Sequence, residues 1–321
     1  VRPCLWRETA LVAYEPVHDV DHPLSTLTDA DTVLAQICAR IKQSVALAYI
    51  ATGTPSRPNP YLGLSAFQIE QSHLFFGRET VTQQLYKNFQ ALLDQPGATR
   101  LLTILGPSGS GKSSVARAGL LAALSRSSIT GAQSLRISAF KPGSCPIESL
   151  ARALVPLLPA ETPILLARRA LEIEELLRSP AAHDQGLRRF ADALPEIGSC
   201  PLVLLVDQFE EIYTLCTDPK ERDALVALLL HAATGSNRHV AVILTLRSDF
   251  LGETQRYHAP LNRLIAAQAV IVPAMSPEEL REAIARPAVQ AGRPIDQATV
   301  ELLLTEARGS QGALPLLEFT L

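Results

Sequence analysis

The sequence predicts an α/β fold: a mostly parallel sheet with helices on both faces, extended by a small helical module towards the carboxyl end. Three observations lead there. Short, nearly continuous apolar runs alternate with longer segments whose apolar residues recur every three or four positions. After Pro273 the runs stop and only the helical pattern continues. Hydrophobic residues make up 47% of the chain and charged residues 19%, which is enough to bury a core and too little charge for disorder. With 321 residues, the chain has room for about two domains, with a third possible, at roughly 100 to 200 residues each.

The elements follow in order. Residues 1–27 carry Pro3, Pro16 and Pro23 between short apolar stretches and read as a strand end and a long loop. Thr28 or Asp29 then caps a helix bearing Leu34, Ile37, Ile41 and Val45. A segment this short does not fold alone, so residues 1–50 are expected to be the tail of a larger domain. TGTPSRPNP at 52–60 concentrates Pro, Gly, Ser and Asn and marks a linker over 51–60. The α/β domain is expected over 61–275. Its strands are 101–105, 135–140, 202–206, 240–246 and 269–272, apolar enough to be buried on both faces. Helices are expected at 113–124, 147–158, 164–177, 185–194 and 221–233. Ser276-Pro277-Glu278-Glu279 is a capped helix start, followed by Leu280, Ile284 and Val289, and a second helix opens near Asp296. Residues 276–321 thus form a helical lid that breaks off inside an apolar segment.

The charge balance excludes some functions. Lys plus Arg number 29 against 32 Asp plus Glu, for a net charge of −3, so nothing drives the whole chain toward nucleic acid or an anionic membrane. No apolar run approaches the ~20 residues of a membrane helix. Five scattered cysteines without a C-x-x-C pair fit a reducing, cytoplasmic setting better than a disulfide framework or a zinc site. The start at Val1, without a charged and apolar leader, is expected of a piece of a longer protein rather than of a secretory signal.

The chemistry concentrates at strand ends. Gly106-Pro107-Ser108-Gly109-Ser110-Gly111-Lys112-Ser113 matches G-x-x-x-x-G-K-[ST] between an apolar strand and a helix, the context of a P-loop. The glycines let backbone N–H groups turn inward around a β-phosphate, Lys112 reaches the β- and γ-oxygens, and Ser113 can bind Mg²⁺. Ser114, next in the helix, joins the expected nucleotide-binding set. Leu202 to Val206 ends in Asp207, a Walker B arrangement that would hold the Mg²⁺ shell. Of Glu210 and Glu211, one could polarise the attacking water, with Glu210 preferred; helix N-terminal capping explains these acids almost as well. Arg247 ends the strand at 240–246. It can face a γ-phosphate, or it can simply pair with Asp249 at the surface.

Asn59-Pro60-Tyr61-Leu62-Gly63-Leu64, Phe75-Phe76-Gly77-Arg78-Glu79, the P-loop, Val206-Asp207-Gln208-Phe209-Glu210-Glu211, Thr245-Leu246-Arg247-Ser248-Asp249-Phe250 and Gly312-Ala313-Leu314-Pro315-Leu316-Leu317 occur in the order seen in bacterial novel STAND NTPases. The resemblance covers residues 59–321. It implies a signalling switch ATPase in which an ADP-bound closed monomer opens, exchanges nucleotide and forms homo-oligomers, its trigger read by a C-terminal sensor outside this chain. It also implies that Phe76, Gly77 and Arg78 line the adenine side, that Arg247 senses the γ-phosphate, and that Pro315 of the lid packs on the adenine. Here the usual Gly-x-Pro is lengthened to Gly312-Ala313-Leu314-Pro315, and a helix-start proline is the competing reading.

Residues 1–50 resemble the last part of a bacterial TIR domain, through Arg2-Pro3-Cys4-Leu5-Trp6, Pro23-Leu24-Ser25 and a closing helix from Asp29 to Val45. That resemblance implies an NAD-degrading effector whose catalytic Glu lies upstream of Val1, in anti-phage defence. A scaffold or transcription regulator with an amino-terminal docking module is the alternative. A metabolic P-loop kinase leaves the Gly-Arg-Glu and Gly-x-x-Pro segments unexplained. Across these readings the expected ligands are ATP or ADP with Mg²⁺.

Overall fold

The computed structural model describes residues 59–307, apart from 64, 96, 127–134, 160–161, 180–183 and 236–237. The chain divides into two units, 1–58 and 59–321. The elements expected over residues 1–50 and the segment with Pro315 lie outside the described residues.

The second unit opens with an irregular segment at 59–68, a 3₁₀ turn at Ile69–Leu74 and helix α1, Glu79–Asp94. Strand β1, Leu101–Gly106, runs into the glycine-rich loop. Helix α2, residues 112–126, is α-helical at its ends and widens into a π-helix over Val115–Leu121. Strand β2, Arg136–Phe140, precedes α3, Pro146–Leu154, α4, Pro163–Arg178, and α5, Gly186–Asp192. Strand β3, Leu202–Val206, is followed by a short helix at Glu211–Thr214 and by α6, Pro219–Thr234. Strand β4, Val240–Arg247, then leads to α7, Leu251–Tyr257, and α8, Ala259–Gln268. Strand β5, Ala269–Ile271, closes the sheet, and α9, Pro277–Gln290, and α10, Gln297–Ala307, make the helical end.

All four strand pairings are parallel, in the order β2-β3-β4-β1-β5. Residues of the central strands alternate between two cores. Leu101, Leu202, Leu204, Val206, Val242 and Leu244 pack against α3, α4, α5, α6 and α8. Leu102, Ile104, Val203, Leu205 and Ile243 pack against α1 and α2 on the other face. Burial on both faces is why these strands read as unbroken apolar runs. A parallel sheet also sends every strand's carboxyl end to one edge, so the residues after β1, β2, β3 and β4 meet there.

Three helices carry no clear sequence signal. In α1 only Val81, Leu85 and Phe89 are buried, a stripe one residue wide in a polar segment. Helices α7 and α8 are short and separated at His258, just before Pro260. In α9 the expected cap is present, and it takes the form of a capping box: Ser276 Oγ accepts from the Glu279 N–H, and Glu279 Oε2 accepts from the Ser276 N–H. Its apolar pattern differs from expectation at one place. Ile284 is buried with Val300 and Leu304, whereas Val289, near the last turn, faces solvent. Among the described residues, no helix is long and apolar enough to cross a membrane.

Candidate functional site

The loop after β1 supplies the cradle. Gly109 (φ 73°) and Gly111 (φ 85°) are left-handed, a conformation glycine adopts without the Cβ clash other residues suffer. Gly106 is needed for a different reason. A Cβ there would sit 2.8 Å from the Val272 carbonyl oxygen and 2.9 Å from Ser110 Oγ. Lys112 is buried and its ammonium donates to the Pro107 carbonyl at 2.7 Å. Burial pushes its pKa down, an effect countered mainly by the charge of Glu210. The Ser110 hydroxyl is buried and has no hydrogen-bond partner among the described residues.

Asp207 follows β3 directly and is 1% exposed. Its N–H donates to the Phe140 carbonyl at the end of β2. Its Oδ1 accepts from Ser113 Oγ at 2.7 Å and from Thr245 Oγ1 at 2.7 Å. Gln208, at φ 55°, turns the chain sharply, with its N–H on Thr245 Oγ1. This turn separates the two glutamates. Glu210 is buried beside Lys112, its Oε2 accepting from the Arg247 N–H at 3.3 Å, and burial raises its pKa. Glu211 points elsewhere and accepts from the Gly143 N–H at 3.0 Å, in the loop between β2 and α3. The guanidinium of Arg247 forks onto Asp249 at 3.1 and 2.6 Å, and that pairing raises its pKa.

These groups surround a cavity of about 560 Å³, within the range of small-ligand sites. Ser108, Gly109, Gly111, Lys112, Ser113 and Ser114 line it on one side, and Asp207, Glu210 and Arg247 on the other. Pro107 and Ser110 do not line it; each contributes a carbonyl to the buried framework, to Lys112 and to Arg78 respectively. Five lining residues carry no sequence expectation, Ser65, Ala66, Gln68, Arg117 and Lys141, and Thr245 is named only as part of the run 245–250. Lys141 and Thr245 sit at the ends of strands on the same edge as Asp207, and Arg117 is one turn beyond Ser113, so their strand-end and helical spacing was the available signal.

The segment with Phe76, Gly77 and Arg78 meets the lid. Phe76 and Arg78 border a second, nearly filled recess with Gly111, Ser114, Met275 and the lid residue Ala283. The Phe76 ring lies 4.2 Å from the Arg286 guanidinium of α9. Gly77 lines neither space; at φ 78° it is pressed against the Glu279 carbonyl. Arg78 is buried, donates to the Ser110 carbonyl at 2.8 Å and lies 3.7 Å from Glu279. Desolvation lowers its pKa, and Glu279 partly offsets this. The segment at 59–68 is tied to α2, with the Phe67 N–H on Ser114 Oγ at 3.2 Å.

The residues present fit a magnesium nucleotide. Positive-φ glycines at a helix start and a buried lysine that lines the cavity suit a phosphate chain. A hydroxyl and a carboxylate 2.7 Å apart are the hard oxygen donors Mg²⁺ takes.

The fold resembles two solved structures. The Aeropyrum pernix ORC2 protein, in its ADPNP-ADP complexes, matches with a TM-score of 0.52 and 16% identity over 75% of this chain and 60% of that one. This chain therefore spans about 60% of the ORC2 chain. The Walker-type ATPase paby2304 of Pyrococcus abyssi matches with a TM-score of 0.51 and 14% identity over 80% of this chain and 69% of that one. At such identities the likeness speaks for the fold alone. No curated protein matches. The family profile of novel STAND NTPase 1, however, matches residues 60–321, and with the parallel sheet and its phosphate-cradling edge in view, the chain belongs to the novel STAND NTPase 1 family.

Proposed function

We propose that this protein is an ATP-binding and ATP-hydrolysing switch. The observation that carries the reading is the meeting of Lys112, Ser113 and Asp207 on one cavity at the carboxyl edge of a parallel sheet. Backbone N–H groups of 108–113 and the Lys112 ammonium hold the phosphate chain. Ser113 and Asp207 hold Mg²⁺, which supplies charge neutralisation between the phosphate oxygens when bound. Glu210 orients and deprotonates the attacking water: it is the glutamate that lines the cavity, and its burial makes it a stronger base. Glu211 anchors the loop after β2. Arg247 exchanges its hold on Asp249 for the γ-phosphate, and Phe76, Gly77 and Arg78, with Pro315, hold the base side and the lid.

The domain order we propose is the C-terminal part of a TIR-like effector domain over 1–50, a linker at 51–60, the NTPase over 61–275 and part of the helical lid over 276–321. Nucleotide exchange drives homo-oligomerisation that brings the effectors together in bacterial anti-phage defence. The motif resemblance supports this part of the reading.

The test is a calorimetric titration of the chain and of Lys112→Ala with ATP and Mg²⁺. The parent should bind and the variant lose at least roughly a hundredfold, since a charge-assisted contact to phosphate is worth ~1.5–3 kcal/mol each and Lys112 makes more than one. Equal affinities would refute the assignment. For the effector, NAD⁺ consumption by the native protein on activation is the readout, and its absence would favour a docking module.

A further inference from the structure

The carboxylate of Asp207 has its two oxygens divided between two kinds of partner. Oδ1 takes the hydroxyls of Ser113 and Thr245. Oδ2 takes Arg117, through Nε at 3.2 Å and Nη2 at 3.1 Å. Arg117 and Ser113 lie four residues apart on α2, so both reach the same side chain. The remaining guanidinium nitrogen, Nη1, donates to Gln68 Oε1 at 3.2 Å and steadies the fork. Gln68 belongs to the 59–68 segment that lines the same cavity.

Charge and burial give this arrangement its meaning. A carboxylate that is 1% exposed is costly unless a cation compensates it. Arg117 is the cation in direct contact with it among the described residues, at 17% side-chain exposure, while Lys112 acts on it from further off. Yet the same carboxylate is the group a divalent ion would take, and two cations within a few ångströms repel strongly where water is scarce. Arg117 therefore stabilises the metal-free site and opposes the metal.

We propose that Arg117 is the resident counter-cation of Asp207 and sets the divalent-metal threshold of this site. The proposal rests on the reading of Asp207 as a metal-holding residue. When a metal takes Asp207, Arg117 yields Oδ2 and its contact with Gln68 no longer holds it there. Arg117 is a positioning residue here, acting through Asp207.

The test uses Mn²⁺ alone, with free ion counted by its paramagnetic signal, on the full chain without nucleotide. Arg117→Met should bind Mn²⁺ about tenfold or more tightly than the parent, because one like charge is removed at close range. Arg117→Lys, which keeps the charge, should stay within about threefold of the parent, and Gln68→Ala should shift in the direction of Arg117→Met by less. If Arg117→Met does not fold, Arg117→Gln, uncharged but able to donate to Oδ2, carries the same expectation. An unchanged or weaker Mn²⁺ affinity in the uncharged variant, or an equal gain in Arg117→Lys, overturns the proposal. A parallel ATP titration separates the two readings. Tighter Mn²⁺ without any ATP binding would uphold this inference and sink the nucleotide assignment, and ATP binding with unmoved Mn²⁺ affinity would do the reverse.

Discussion

Gly77→Ala tests how the lid is held. Gly77 has φ 78°, and an added Cβ would stand 2.2 Å from the Glu279 carbonyl oxygen and 3.0 Å from its carbon. Both are backbone atoms, so no side chain can swing away. The strain of a left-handed alanine costs roughly 1–2 kcal/mol. Overpacking of this kind adds about 1–3 kcal/mol. The displaced residue is also the capping-box glutamate of α9 and the lid partner of Arg78, so the push reaches both contacts. Gly97→Ala is the control, with φ 75° and nothing within 4 Å of its added Cβ. It should cost the backbone strain alone. Thermal unfolding of the two variants should therefore differ by about 2–12 °C, given roughly 2–4 °C per kcal/mol for a domain of this size. Equal melting temperatures would refute the claim that α9 is seated on Gly77.

Three further substitutions test the acids after β3 and the arginine that ends β4. Glu210→Gln should slow ATP turnover by about 10²-fold or more while sparing binding, whereas Glu211→Gln should act on stability through the Gly143 loop; comparable turnover in Glu210→Gln and the parent would discard Glu210 as the base. Because burial raises the Glu210 pKa above its ordinary 4.5, its contribution to stability is fullest below that pH and is lost as pH rises through the raised value, so Glu210→Gln should melt higher than the parent at neutral pH and lose that advantage in acid. Arg247→Ala should weaken binding of a non-hydrolysable ATP analogue by ~1.5–3 kcal/mol while leaving ADP affinity almost unchanged, and paired titrations with equal losses for both ligands would reduce Arg247 to the exposed partner of Asp249.

Much of this protein was legible before folding because it is written in contiguous residues. Strand β3 occupies the predicted residues and the other four begin or end within one residue of prediction, since a strand buried on both faces must be apolar at every position. The glycine-rich loop was legible for the same reason: its left-handed turns and the helix after it depend on adjacent residues. The Ser276 cap was a four-residue signal and formed as one. What the linear pattern could not decide was which long side chains share a buried partner. Glu210 and Glu211 are chemically alike and adjacent, and only the turn at Gln208, braced by Thr245 of the next strand, sends one to the cavity and the other to Gly143. Arg117 meets Asp207 across 90 residues of chain, and Arg78 is buried under a lid helix about 200 residues away. Periodicity reports whether a position is apolar, not which charge it will face once water is excluded. That choice is made by the sheet order and the helix packing, which bring these side chains within hydrogen-bond reach only in the folded molecule.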